Sequence, residues 1–108
     1  MHALVRGLLA ALALIAAAGC SEPGDTRDPG AERGRQIYLT QCIACHNTDP
    51  ALAGPVGPPV RGSSPELLEA KILKGTYPPG YAPKRPTMLM PPQPALARDL
   101  QGLAAYLR

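Results

Sequence analysis

Residues 42–46 read Cys-Ile-Ala-Cys-His, which gathers two thiols and an imidazole into one short stretch of a chain that has three cysteines in all. Cys42, Cys45 and His46 in that order suit three chemistries: a zinc site, a dithiol redox couple, or covalent attachment of a haem whose iron takes the histidine as an axial ligand. The rest of the sequence has to choose between them.

A structural zinc site closes a tetrahedron of four ligands. Outside the motif the chain has only His2, at its far N-terminus, and Cys20 as further thiol or imidazole donors, so zinc is poorly served. A Cys-x-x-Cys redox couple belongs next to a strand-helix unit, and no alternating, β-branched segment precedes Cys42. Haem attachment remains: each thiol forms a thioether to the porphyrin, and the adjacent His46 ligates the iron.

Around this motif the chain divides into parts. Residues 1–19 carry Arg6, no acidic side chain, an apolar run from Gly7 to Ala18, and small residues before Cys20. That pattern reads as an export leader, and the run falls short of the roughly 20 apolar residues of a spanning helix. Ala-Ala-Gly-Cys followed by Ser21 resembles the cleavage box of bacterial lipoproteins, so Cys20 is expected to be lipidated and to hold the protein at a membrane surface. Residues 20–29, rich in Pro, Gly and acidic side chains, form a tether with nothing to fill a core. Residues 30–108 are the folded domain.

A domain of that length rarely makes a sufficient core by itself. Phe and Trp are absent and four tyrosines supply all the aromatic area, so a buried cofactor is expected to provide the missing apolar bulk. The pattern predicts an all-α fold of about three main helices separated by long loops that hold most of the prolines and glycines. The first helix starts near Asp28 or Gly30 and delivers the Cys42–His46 segment. The second runs over SSPELLEAKILKG, with Ser63 or Ser64 as N-cap, Pro65 in its first turn, Glu66 closing a capping box with Ser63, and Gly75 as its stop. Leu67, Leu68, Ile72 and Leu73 give it an apolar face. The last places Leu96, Leu100, Leu103 and Leu107 on one stripe, beside Tyr106.

Taken together, these pieces resemble the class I monohaem cytochromes c of bacteria over nearly the whole of residues 30–108. GRQIYLTQCIACH is similar to the family's first helix, in which a small residue, here Gly34, admits the last helix and an aromatic, here Tyr38, meets one from that helix, here Tyr106. GPPVRG resembles the family's G-P-x-L-x-G, which implies that the Pro58 carbonyl accepts a hydrogen bond from His46; Gly54-Pro55 is the competing pair. The resemblance also implies one covalent c-type haem and a methionine as second axial ligand. Met90, followed by two prolines, fits that place better than Met88, which would then pack against the haem edge. Tyr77, Tyr81, Lys84 and Arg85 are candidates to hydrogen-bond the haem propionates.

What the resemblance implies for function is an electron carrier rather than an enzyme: an exported, periplasmic or membrane-tethered monomer that meets redox protein partners and no nucleic acid. The alternatives are a haem sensor that binds a small ligand and a haem subunit of a larger respiratory oxidoreductase. Net charge of the whole chain is +3, and the leader's Arg6 and two propionates nearly account for it, so net charge selects no partner. Its distribution is more telling, since Arg61, Lys71, Lys74, Lys84 and Arg85 form a basic rim suited to steering toward an acidic surface.

Overall fold

The computed structural model describes residues 28–108. The expected leader over 1–19, Cys20 and most of the 20–29 tether lie outside the described residues. Helix α1, Pro29–Gln41, begins where the sequence chemistry changes: the Asp28 carboxylate accepts from the Gly30 N–H at 2.8 Å, and Pro29 occupies the first helical position. Proline lacks the N–H that would otherwise be orphaned there, and its fixed φ suits the helix. Glu32 adds negative charge in the first turn, where the helix dipole favours it.

The second helix opens on Ser64, whose hydroxyl accepts from the Leu67 N–H at 3.1 Å. This corrects the capping box expected from Ser63 and Glu66: with Ser64 as the cap, Leu67 falls at the third helical position. The Ser63 hydroxyl turns back to donate to the Val60 carbonyl instead. Helix α2, Pro65–Leu68, then widens into a π-helical turn over Glu69–Leu73. Gly75 ends it with φ of 69°, a left-handed conformation that glycine adopts without a Cβ clash. The Gly75 and Thr76 N–H groups return to the Lys71 and Ala70 carbonyls, and the Ile72 carbonyl between them and the loop takes the N–H of Gln93. The long loop after α2 is thereby pinned to this helix at both of its ends.

The last helical segment starts as a 3-10 helix, Pro94–Asp99, and becomes α3, Leu100–Leu107. Gln93 gives this start no side-chain cap. Tighter i→i+3 bonding, such as Leu96 N–H to the Gln93 carbonyl at 3.0 Å, satisfies donors that a serine or aspartate would have taken.

Helices α1 and α3 make the most extensive contact between elements, and two glycines permit it. A Cβ on Gly34 would overlap the Gly102 backbone and come within 2.8 Å of the Leu103 nitrogen, while one on Gly102 would lie 2.8 Å from the Gly30 carbonyl. The two backbones are in contact, so no side chain fits at the crossing. Beside it the Tyr38 and Tyr106 rings meet with centroids 5.6 Å apart and planes at 50°, a tilted arrangement favoured by ring quadrupoles. Ile37, Tyr38, Leu68, Ile72, Leu96, Leu103 and Leu107 form the buried core; Leu100 and Tyr106 are partly buried against it. Helices and loops account for the described residues, with no strand among them. The fold is the all-α arrangement that the sequence predicts.

Arg61 departs from the expected basic rim. Its guanidinium donates to the Tyr106 carbonyl at 2.8 Å and the Arg108 carbonyl at 3.2 Å, and it lies over the Tyr106 ring at 5.7 Å. It closes the C-terminal end of α3, where free carbonyls and the helix dipole attract a cation.

Candidate functional site

Between α2, the C-terminal end of α1 and the two long loops lies an open cleft of about 1040 Å³, counted out to its mouth. Its walls bring together residues far apart in sequence: Cys42, Cys45 and His46 from the end of α1, Val56 to Val60 from the first loop, Leu67, Leu68, Lys71 and Ile72 from the second helix, and Tyr77, Tyr81, Lys84, Arg85, Leu89 and Met90 from the second loop. Leu103 and Leu107 form part of it from α3. The lining is predominantly apolar with a few polar groups, as in sites for organic cofactors.

Cys42 caps α1 through its N–H to the Tyr38 carbonyl, and its side chain packs on the core. Burial pushes its thiol up to about 11, so at neutral pH it is protonated, unlike the low-pKa thiolates of redox-active pairs. Cys45 is exposed. After the motif the chain is held closely. The Tyr38 hydroxyl donates to the Asn47 carbonyl, and burial pushes that phenol up to about 12, which keeps the donor protonated.

The His46 ring is oriented by the first loop. Its Nδ1 lies 2.9 Å from the Pro58 carbonyl oxygen. A carbonyl can only accept, so this contact requires a proton on Nδ1 and leaves Nε2 with its lone pair free for a metal ion. Gly57 backs the ring: a Cβ there would overlap Nδ1 and Cε1 and lie 2.9 Å from Nε2. The ring meets the Pro58 carbonyl and not that of Pro55, the competing candidate, and the loop before it is held by its own backbone bonds. The Val56 and Gly57 N–H groups both donate to the Cys45 carbonyl, at 3.2 and 2.7 Å, and the Gly54 N–H donates to the Gly57 carbonyl. The close packing of Gly57 against His46 was not anticipated from the sequence; its only signal is the glycine preceding Pro58.

Of the two methionines, Met90 is partly buried, packs on the core and lines the cleft. Met88 is 64% exposed and is not part of the cleft wall. Tyr77 and Tyr81 stack at 5.5 Å with planes 12° apart, and the Lys71 ammonium sits 4.3 Å from the Tyr77 ring centroid. Lys84 donates to the Pro59 carbonyl at 2.8 Å and Arg85 to the Val56 carbonyl at 3.3 Å. Lys74 is exposed and lies outside the cleft.

The site fits a flat apolar group with a metal at its centre. Leu89 and Val56 line the cleft yet are 69% and 41% exposed, apolar surface that a bound partner would cover. The donor set along the walls is one imidazole with a fixed tautomer, two thiols and a thioether, the combination that binds iron porphyrins covalently and axially.

Residues 29–107 match the family described as Cytochrome C oxidase, cbb3-type, subunit III. No curated protein matches the chain.

Proposed function

The chain belongs to that family of c-type cytochrome domains, whose cofactor is a covalently bound c-type haem, and from this premise we propose that it is an exported electron-transfer protein in which Cys42 and Cys45 hold one haem and His46 and Met90 are its axial ligands. The haem supplies a one-electron couple at its iron. The observation that carries the reading is the His46–Pro58 contact of 2.9 Å within a cleft that also contains both thiols and Met90.

Each of the chain's own groups then has a task. The Pro58 carbonyl and Gly57 keep the His46 ring in one tautomer and one orientation, which limits rearrangement when the iron changes oxidation state. The core residues Leu68, Ile72, Leu103 and Leu107 keep water from the cleft's inner wall, and a low dielectric there favours the less charged reduced state. Tyr77, Tyr81 and the remaining donors of Arg85 hold the two propionates.

A thioether ligand in place leaves no open coordination position, which favours electron transfer over binding of a small molecule. The ferrous protein is therefore expected to leave its spectrum unchanged under carbon monoxide at neutral pH. Uptake of carbon monoxide within seconds would instead mark a ligand-binding sensor.

For location, we infer a membrane-tethered protein on the periplasmic side, held by lipid on Cys20. No helix of the described residues is long and apolar enough to cross a membrane. The matched family's description, an oxidase subunit, favours a second reading in which the same haem domain is a permanent part of a respiratory complex. One fractionation separates the two. Cys20→Ser should move most of the haem protein from the membrane to the soluble fraction if the lipid is its anchor. Haem protein that stays on the membrane despite this change is held by partner subunits, and wild-type protein that is already soluble refutes the lipid anchor.

A further inference from the structure

The second loop carries Met90, and among the described residues few bonds hold it. Its ends are pinned to the second helix, through Thr76 at one side and Gln93 at the other. Between those pins, among the described residues, the hydrogen bonds that cross to the rest of the domain come from Lys84 and Arg85. The acceptors belong to one short segment, Val56 to Pro59. Val56 receives Arg85, Pro59 receives Lys84, and Pro58, between them, receives the His46 ring. The segment that orients one axial ligand is thus the segment to which the other ligand's loop is fastened.

We propose that Lys84 and Arg85 are positioning residues that clasp the Met90 loop onto the 56–59 segment and set how often the methionine leaves the iron. The proposal rests on the axial assignment of His46 and Met90 made above. An ammonium and a guanidinium suit this task because both have donors on long stems that reach across the cleft, and a charged donor to a carbonyl is stronger than a neutral one. Neither contact is an ion pair, so salt should weaken the clasp little, whereas a charge pair at the surface would be screened.

An external ligand can reach the iron only while the loop is open. In ferric protein the rate of cyanide binding therefore climbs with cyanide concentration to a plateau, the rate of opening. With both contacts removed in Lys84→Met/Arg85→Met, the plateau should rise about tenfold, and about threefold in each single variant, as the loss of two partly exposed hydrogen bonds would give. Lys84→Arg, which keeps a donor of similar reach, should restore a near wild-type plateau in the Lys84 single series. Lys74→Met, a change at an exposed lysine outside the cleft, should leave it unaltered and serves as the control for surface charge.

An equal plateau in wild type and double variant overturns the proposal. So does a shifted reduction potential without a change in plateau, which would make the two cations ligands of the propionates and nothing more. Failure of the axial assignment looks different: the wild-type ferric protein then has no iron–sulfur absorption band before cyanide is added, and the clasp falls with it. Because Lys84 is exposed, Arg85 is half-buried and neither belongs to the buried core, circular dichroism of the variants serves to separate loop opening from unfolding.

Discussion

Replacing Cys42 and Cys45 together with alanine is expected to release the haem completely from the denatured polypeptide, whereas wild-type protein keeps it through denaturing electrophoresis and acid-solvent extraction. Each single variant retains one thioether and should keep part of the haem. The two are not equivalent in the folded protein. Cys42 packs on the core, while Cys45 is exposed, so Cys42→Ala also removes buried contact worth about 1 kcal/mol, and Cys45→Ala does not. Thermal unfolding of the two single variants should show that order. The double variant should be the least stable, because a domain of this size with so few aromatic side chains depends on its cofactor for apolar burial. Full extraction of haem from the wild type would refute the thioether assignment for Cys42 and Cys45 and return the pair to disulfide or zinc chemistry.

How far the sequence announces this site depends on whether a residue's partner is near it in the chain. The Cys42–His46 motif is contiguous and states its chemistry directly. Gly34, Tyr38 and Tyr106 are legible through the family resemblance, and the structure makes their reason physical: backbone touches backbone at the crossing, and the rings pack beside it. The stripe from Leu96 to Leu107 follows from helical periodicity alone, even though its first turn is 3-10.

Other features depend on distant backbone groups that no periodicity encodes. Arg61 reads as part of a basic rim because it shares its half of the chain with Lys71, Lys74, Lys84 and Arg85, yet the carbonyls at the end of α3 hold it. The Ser63–Glu66 spacing satisfies a capping box as well as any, and the chain starts its helix one residue later because Ser64 takes the Leu67 N–H. The π-helical turn over Glu69–Leu73 has no sequence mark at all. Its role is visible only in three dimensions, where the Ile72 carbonyl meets Gln93 and fastens the Met90 loop.

That fastening bears on the choice of sixth ligand, because only one of two nearby sulfurs can serve. Met90 lies close to the pin at Gln93, packs on the core and lines the cleft, while Met88 is 64% exposed and outside the cleft wall. A loop held at Gln93 has little slack to exchange the two, since moving Met88 inward would drag Leu89 and Met90 with it and break the Gln93–Ile72 bond. Met90→Ala is therefore expected to abolish the ferric iron–sulfur absorption band and to lower the reduction potential by on the order of 0.1 V or more, within the span of about 0.8 V that axial ligands command. The same variant should bind carbon monoxide in the ferrous state, which the wild type should not. Met88→Leu should leave the band and the potential in place and change stability by less than about 0.5 kcal/mol, as substitutions of exposed residues usually do. The reverse pattern would mean that the loop slides by two residues on haem binding, and the Gln93–Ile72 hydrogen bond would then be lost, which amide hydrogen exchange at Gln93 would report. If neither variant alters the spectrum, the sixth ligand is not a methionine, and the low-slack loop would have to hold some other donor from the cleft wall against the iron.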